Sequence, residues 1–360
     1  MVYSQQRNIF VKRDVKLTEP PDAEPHVRWC ERSAAKAVSY SITISDDLIR
    51  GMIFSFHMPL FFMLSCVTYR FSLDKGELKA KTRKSFMHLI IPVISIFLIC
   101  LVYRFLTDMK EWESLAFVPA FLKEQFKTIV FCSGSRNSPK SFPVSVPALG
   151  IPWFCVVLFC SRTLLDTLHL HLDEIKLMLV SGVLSVAGVF IGKFVWLPFS
   201  FDVVLAVIPF LYIALYFRKI NVSEKPLFKF VVAFVIWIVI FFVIFYMKDD
   251  YLQLAPRKYP MYPLCYIGAF FGTWMLSELS VLLCNLSISR PIVYLGKYSM
   301  YMLIVHSLDS TLFAKLWIVN KSEYVNCIMR LLVDTILFLL LKKCIDFWKI
   351  TKLKSANITQ

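Results

Sequence analysis

Nine strongly apolar stretches alternate with polar links along this chain, and each stretch is bounded by charged residues or by proline. A transmembrane helix needs about 20 predominantly apolar residues, within a range of about 17–25. The pattern therefore predicts an all-α fold, a polytopic integral membrane helical bundle of about nine transmembrane helices. The predicted spans are residues 52–69, 86–105, 149–165, 177–194, 199–217, 227–247, 262–286, 299–318 and 327–341.

Composition supports a membrane protein. Hydrophobic residues make up 58% of the 360 residues, whereas a soluble domain has roughly 45–50%, so a water-soluble core is excluded. The net charge of +15 raises the alternative of nucleic-acid binding, but the basic residues lie in the links rather than on one continuous face. They are topology signals, so we expect membrane lipid as a partner and no nucleic acid.

The basic links alternate as the positive-inside rule requires, which places their side in the cytosol. They are Lys75–Lys84, Arg218–Lys229, Arg290–Lys297 and Lys342–Lys354. The sequence thus predicts a multi-pass protein of the cell (inner) membrane with a cytosolic carboxyl terminus. Its transmembrane domain covers residues 51–345, and residues 346–360 form a basic cytosolic tail.

The polar segment of residues 1–50 breaks the alternation, because it carries many basic residues and yet must lie outside. A preceding helix would repair the topology, but no window in this segment is long enough to span. A signal peptide is also missing, since no apolar core follows the first basic residues. Either the segment is re-entrant and interfacial, or it is the remnant of a lost first helix.

Several motifs follow one another in an order that resembles a known family. They are Ile53–Ser65 (IFSFHMPLFFMLS), Pro152–Phe154, Trp196–Phe210 and Leu295–Ser299 followed by His306. From Trp29 to its carboxyl end the chain resembles the acyltransferase 3 family, in particular its fucose 4-O-acetylase-like branch. The resemblance implies about ten helices and an enzyme that moves an acetyl group from cytosolic acetyl-CoA to a sugar hydroxyl. The acceptor would be a surface glycan or its lipid-linked precursor, and no cofactor would stay bound.

The chain departs from this family in one functional element. The family carries a histidine at the end of its first helix with an arginine eleven positions earlier, and none of the six histidines here has that arginine. Cys66 also replaces a glycine of the family signature. Two interpretations follow: the chain is a catalytically inactive remnant, or His57 supplies the missing base. A glycolipid or solute carrier is a third, but the paired repeat halves of carriers are absent.

His57 is the first candidate catalytic residue. Acyl transfer to a hydroxyl needs a base, and histidine suits this role because its unperturbed pKa of about 6.5 keeps the neutral ring abundant. The predicted span places His57 near the outer end of its helix, beside Pro59, where freed carbonyls would line a cavity. The alternative is a hydrogen bond to a neighbouring helix without any chemistry.

His306 is the second candidate, because an ionisable residue near the middle of a span suggests function. Asp309 lies three positions further along, so one helical face presents both side chains. A helix-packing network of serine, histidine and aspartate is the alternative. The sequence has no metal-ligand signature, and we expect no metal site.

Charged residues in the links are candidates for substrate binding. Lys81, Arg83 and Lys84 could hold the diphosphate of acetyl-CoA from the cytosolic side, although topology alone explains such a cluster. On the outer side, Arg257, Lys258 and Tyr259 are predicted to contact the acceptor. Asp202 either caps the amino end of its helix or orients a sugar hydroxyl.

Overall fold

The computed structural model describes residues 47–67, 69–111, 117–136, 139, 141–217, 225–283, 286–287, 289–312 and 323–358. The predictions for residues 1–46 lie outside this part of the chain, as does the end of the predicted span 299–318.

Every regular element in the described ranges is a helix, as the sequence predicts. The α-helices are α1 (Asp47–Val67), α2 (Lys75–Ser85), α3 (Ile91–Glu111), α4 (Val118–Phe131), α5 (Trp153–His169), α6 (Glu174–Phe194), α7 (Phe201–Phe217), α8 (Pro226–Lys248), α9 (Leu264–Leu283), α10 (Ser289–Lys297), α11 (Ser299–Leu312) and α12 (Glu323–Ile358). A π-helical segment, Phe86–Ile90, joins α2 to α3, and a 3₁₀ turn, Pro198–Ser200, precedes α7.

Each of the nine predicted spans coincides with one of these helices. In the described part of the chain, six helices are long and apolar enough to cross a membrane: α1, the continuous helix of α2 and α3, α6, α7 with its 3₁₀ turn, α8 and α9. The polytopic helical membrane fold is therefore confirmed. The number nine stays a prediction, because α5 has 17 residues and α11 is described over 14.

Helix boundaries differ from the prediction where polar residues extend an apolar helix. The uninterrupted helix Lys75–Asp108 has 34 residues, about 51 Å at 1.5 Å per residue, whereas the hydrocarbon core is about 30 Å thick. Its amino-terminal part, α2, therefore projects from the apolar layer. At the other end of the chain, α12 continues to Ile358, so the predicted tail of residues 346–360 is helical through residue 358.

The main bundle is formed by α1 and α5 to α9. Helix α7 is its centre and packs against α1, α5 and α6, while α9 packs against α1 and α8. Small and β-branched side chains on α7, such as Val203, Val204 and Ala206, are fully buried. Such side chains allow neighbouring helices to approach closely, which drives association in lipid.

A second group of helices consists of α3, α11 and α12, with α11 packed between the other two. A small apolar cluster joins this group to the main bundle, because Val93 of α3 and Val156 of α5 share it with Leu303 of α11. We call the end of the molecule with α2 the basic side. The α8–α9 loop, residues 249–263, marks the opposite side, since Tyr251 lies against Gly51 at the start of α1.

Candidate functional site

A cavity of about 520 Å³ opens on the basic side between α2 and α5. Its volume is within the roughly 300–1,000 Å³ range of small-molecule sites. Three cations, three apolar side chains and two threonines line it: Lys75, Lys79, Arg83, Leu78, Phe86, Phe159, Thr82 and Thr163. We call it the α2–α5 cavity, and its lining suits an anionic ligand with an apolar part.

The cations reach this cavity because of their spacing on α2. Lys75, Lys79 and Arg83 are four positions apart and share one face of the helix. Asp74 caps the helix by accepting a hydrogen bond from the backbone N–H of Glu77 at 2.8 Å, which fixes where the face begins. Phe86 opens the π-helical segment at the apolar end of the cavity, and such segments are frequent at functional sites.

The structure separates the three predicted donor-binding residues. Arg83 lines the cavity, whereas Lys84 is exposed and does not. Lys81 points elsewhere: its ammonium donates to the carbonyl of Arg70 at 2.7 Å and pairs with Glu77 at 2.8 Å. Lys75 and Lys79, eight and four positions before Arg83, line the cavity together with it.

Asp166 on α5 fixes the connection between α1 and α2. Its carboxylate is fully buried and accepts hydrogen bonds from the Tyr69 hydroxyl at 2.7 Å and from both the backbone N–H and the hydroxyl of Ser72 at 2.8 Å. Burial, and then this carboxylate, raise the pKa of Tyr69, so its phenol stays a hydrogen-bond donor. One turn earlier, Arg162 donates to the Ser65 carbonyl at 2.8 Å and lies over the Tyr69 ring.

These bonds matter for the cavity because both of its walls depend on them. Phe159 and Thr163 flank Arg162 on α5, while the segment that Asp166 holds leads directly into α2. Phe71, in the same segment, stacks on His169 with ring centroids 4.1 Å apart. The connection is thus held from α5 at several points, which sets the position of the α2 cations.

A buried polar cluster on the opposite side is centred on Arg257. The Arg257 and Asp202 side chains are 1% and 0% exposed, and the Arg257 Nε donates to Asp202 Oδ2 at 2.8 Å. The remaining guanidinium N–H groups donate to the Ser133 hydroxyl and the Ala255 carbonyl at 2.8 Å, the Ser200 hydroxyl at 3.0 Å and Asp202 Oδ1 at 3.4 Å. We call Arg257, Asp202, Ser133 and Ser200 the Arg257 cluster.

All N–H donors of this guanidinium are used within the protein, which argues against Arg257 as a contact for the acceptor sugar. Arg257 has five N–H donors and five hydrogen bonds, so none is left for a sugar. Asp202, on α7, accepts hydrogen bonds from Arg257 and from the backbone N–H of Leu197 at 3.2 Å. Because Leu197 lies in the loop before α7, Asp202 connects both this loop and the guanidinium to the helix. Tyr259 is buried and burial raises the pKa of its phenol, whereas Lys258 is half exposed and pairs with Asp250 at 3.0 Å.

His57 lies at the middle of α1, as the eleventh of 21 residues, and not near its outer end. The prediction was wrong because the helix begins five residues before the apolar stretch, and polar residues at a membrane boundary do not end a helix. The ring Nδ1 is 3.4 Å from the carbonyl oxygen of Phe54, three positions earlier. A void of about 10 Å³ beside α1 is lined by Ser55 and Trp237, not by His57.

His306 takes part in a polar cluster between α11 and α12. Its Nδ1 is 2.8 Å from Asp334 Oδ2, and Arg330 Nε donates to Asp309 Oδ2 at 2.6 Å. We call these four residues the His306 cluster; Asp309 is fully buried, and Arg330 and Asp334 are each 6% exposed. His306, Asp309 and Asp334 offer atoms within 4.8 Å of one another, but Arg330 already supplies the cation that a metal would provide.

Within the predicted spans, sequence reasoning missed four charged residues: the half-buried Arg162 and the buried Glu278, Arg330 and Asp334. Each lies inside a predicted span, and charge within a span is itself a signal of function or of polar helix packing. Glu278 on α9 is fully buried and accepts one hydrogen bond, from Trp274 Nε1 at 2.9 Å. Counting charges within the predicted spans would have found all four.

Comparison with known proteins gives one match. Residues 32–341 match a protein-family model described as an acyltransferase domain, and this range exceeds half of the 360 residues. No curated protein and no solved structure matches the chain.

Proposed function

Since the chain belongs to the acyltransferase family whose model matches residues 32–341, we propose that it is a membrane O-acyltransferase acting on sugar. In this proposal it moves an acetyl group from acetyl-CoA to a sugar hydroxyl of a surface polysaccharide or of its lipid-linked precursor. The observation that carries the proposal is the α2–α5 cavity, which is lined by three cations and three apolar side chains.

Acetyl-CoA is the donor in this proposal because its parts complement the cavity. The diphosphate of coenzyme A is anionic, and Lys75, Lys79 and Arg83 supply lysine and arginine donors for it. Phe86 and Phe159 then receive the pantetheine arm and the acyl group. The basic side faces the cytosol under the positive-inside rule, where acetyl-CoA is available, and the carboxyl terminus lies there in a multi-pass protein of the cell membrane.

The acceptor is a sugar hydroxyl on a glycan or lipid-linked sugar. Support comes from the similarity of Ile53–Ser65 to the fucose 4-O-acetylase-like branch. Because the hydrogen bonds of Arg257 are saturated and Tyr259 is buried, we assign acceptor contact to neither residue. Lys258 is the member of the predicted acceptor group that remains half exposed.

The test is acetyl transfer from labelled acetyl-CoA to cell-surface glycan, by cells that depend on this chain or on its variants. Arg83→Ala removes a cavity cation, whereas Lys84→Ala removes the neighbouring cation outside the cavity. A hydrogen bond to a charged group contributes about 1.5–3 kcal/mol, so we expect Arg83→Ala to weaken CoA binding roughly tenfold or more. Lys84→Ala should change binding less than about twofold.

Direct titration of the purified full-length protein with CoA separates the remaining interpretations. Binding without any transfer would favour the catalytically inactive remnant. Equal effects of the Arg83 and Lys84 substitutions would contradict the α2–α5 cavity as the donor site and leave general electrostatic attraction as the cause.

A further inference from the structure

We propose that His306 and Asp334 form a catalytic dyad in which His306 is the general base and Asp334 is its positioning residue. The inference rests on the proposed function and deepens it, because it names the group that deprotonates the acceptor hydroxyl. It also assigns a role to Asp334, which the sequence did not single out.

A short hydrogen bond joins the two side chains. Because Asp334 Oδ2 lies 2.8 Å from His306 Nδ1, the proton of the neutral ring belongs on Nδ1 and the lone pair on Nε2. A buried carboxylate in this position fixes the tautomer and orientation of the ring and stabilises the imidazolium once it forms. The His306 side chain keeps 27% of its surface accessible, so the ring is not sealed between α11 and α12.

The charged groups of the His306 cluster form two pairs. Arg330 pairs with Asp309 at 2.6 Å, and the Asp334 carboxylate faces the His306 ring at 2.8 Å. In a medium of low dielectric constant, this carboxylate stabilises the imidazolium that forms when the ring takes the hydroxyl proton.

His57 lacks this arrangement. Its Nδ1 faces the carbonyl of Phe54 in its own helix at 3.4 Å, and a neutral carbonyl cannot compensate the charge of an imidazolium as a carboxylate does. Its ring packs against the Phe54 ring with centroids 4.4 Å apart. His57 is thus the weaker base by geometry, although the sequence placed it first.

The helix that carries His306 shares one apolar cluster with the π-helical segment that begins at the cavity residue Phe86. Leu89, which follows the cavity residue Phe86 by three positions, packs in the apolar cluster that also holds Leu303 of α11. His306 follows Leu303 by three positions, less than one helical turn, on the same helix. In this proposal the acyl group reaches His306 along that apolar cluster.

The dyad moves one proton from the acceptor hydroxyl to the departing thiolate. His306 Nε2 takes the proton of the acceptor hydroxyl while the hydroxyl oxygen attacks the thioester carbonyl carbon. A carbon–oxygen bond forms, the carbon–sulfur bond breaks, and the thiolate leaves with the electron pair of that bond. The imidazolium returns its proton to the thiolate, which gives free CoA and the neutral ring.

The experiment compares four variants, at His306, His57 and Asp334, in membranes supplied with labelled acetyl-CoA and their own cell-surface glycan. His306→Gln preserves a side-chain N–H for Asp334 but cannot accept a proton, so we expect kcat to fall roughly a hundredfold or more with the CoA dissociation constant unchanged. The kcat of His306→Ala should fall similarly, and added imidazole should restore activity. Imidazole would not restore activity if the histidine were merely structural. His57→Ala should keep kcat within about threefold.

The outcomes separate the dyad from the proposed function. Full activity in His306→Gln, or loss of activity in His57→Ala alone, would overturn the dyad while leaving the acyltransferase intact. Asp334→Asn should lower kcat more than it changes the KM for acetyl-CoA, and an unchanged kcat would remove its positioning role. A wild-type protein that neither binds CoA nor transfers acetyl would overturn the proposed function and the dyad together.

Discussion

The Arg257 cluster and the α2–α5 cavity both bring cations together with aromatic side chains, yet they differ in saturation. All five donors of Arg257 are used, and its guanidinium lies 3.9 Å from the Trp196 ring centroid. Among the described residues, Lys75, Lys79 and Arg83 form no ion pair and surround about 520 Å³ of space. A saturated cation stabilises the fold, whereas a cation with unused donors beside a cavity is free to bind a ligand.

The strongest test of this contrast is Arg257→Ala. Removal of one partner leaves the Asp202 carboxylate buried without its cation, and breaking such a pair costs about 3–5 kcal/mol. We expect a loss of this size in the free energy of unfolding, measured by chemical denaturation in detergent. The remaining folded protein should bind CoA as the wild type does.

Lys258→Ala is the matched control, because it removes the next cation along the chain. That side chain is 50% exposed and its pair with Asp250 is of the surface kind, which contributes about 0–1 kcal/mol. If Arg257→Ala were as stable as Lys258→Ala but lost affinity for the glycan, the Arg257 cluster would be an acceptor site after all.

Gly188→Ala should have the next largest effect. A Cβ atom at Gly188 of α6 would meet the backbone nitrogen of Ala206 and the carbonyl oxygen of Asp202 at 2.5 Å. Because backbone atoms cannot yield cheaply, we expect overpacking to cost about 1–3 kcal/mol of unfolding free energy and to move Asp202 away from Arg257.

Gly182→Ala tests the same change on the same helix at a site with open space, since a Cβ atom there meets nothing within 4 Å. This substitution should be neutral or stabilise the protein by up to about 1 kcal/mol. Equal effects of the two substitutions would show that the close contact of α6 and α7 does not support the Arg257 cluster.

Hydropathy predicted the helices well because burial in lipid depends on local composition, and each predicted span coincides with a helix. It predicted the ends of helices poorly, as for α1 and α2, because charged residues outside the hydrocarbon continue a helix without any apolar signal. The error moved His57 from the end of α1 to its middle.

The contacts within the candidate site were beyond sequence reasoning. Asp202 and Arg257 were each named as acceptor contacts, but 55 positions separate them and no local pattern links them. Whether a cation is saturated depends on five donors reaching partners from several elements, and this is visible only in three dimensions. The periodicity of Lys75, Lys79 and Arg83 on α2 was present in the sequence and would have defined the cavity face.

Asp166→Asn should have a smaller effect, and it tests whether the cavity is held in place from α5. The Asp166 carboxylate accepts three hydrogen bonds, from Tyr69 and Ser72. Asparagine keeps one oxygen acceptor but loses the second oxygen and the negative charge. Weakening one hydrogen bond to a charged group costs about 1.5 kcal/mol, which corresponds to a change of roughly tenfold in the affinity for acetyl-CoA. We expect the KM for acetyl-CoA to rise up to about tenfold, with kcat and the KM for the glycan nearly unchanged.

Asp173→Asn offers a matched control a few residues along the chain, where the carboxylate is 77% exposed and pairs with Lys176. It should leave the KM for acetyl-CoA unaltered. Comparing kcat with the KM for acetyl-CoA distinguishes a positioning role of Asp166 from a purely structural one. If Asp166 were purely structural, its substitution would lower the amount of active protein and leave the KM for acetyl-CoA unchanged. A raised KM at constant kcat would instead mean that the α1–α2 connection sets the position of the donor-binding cations.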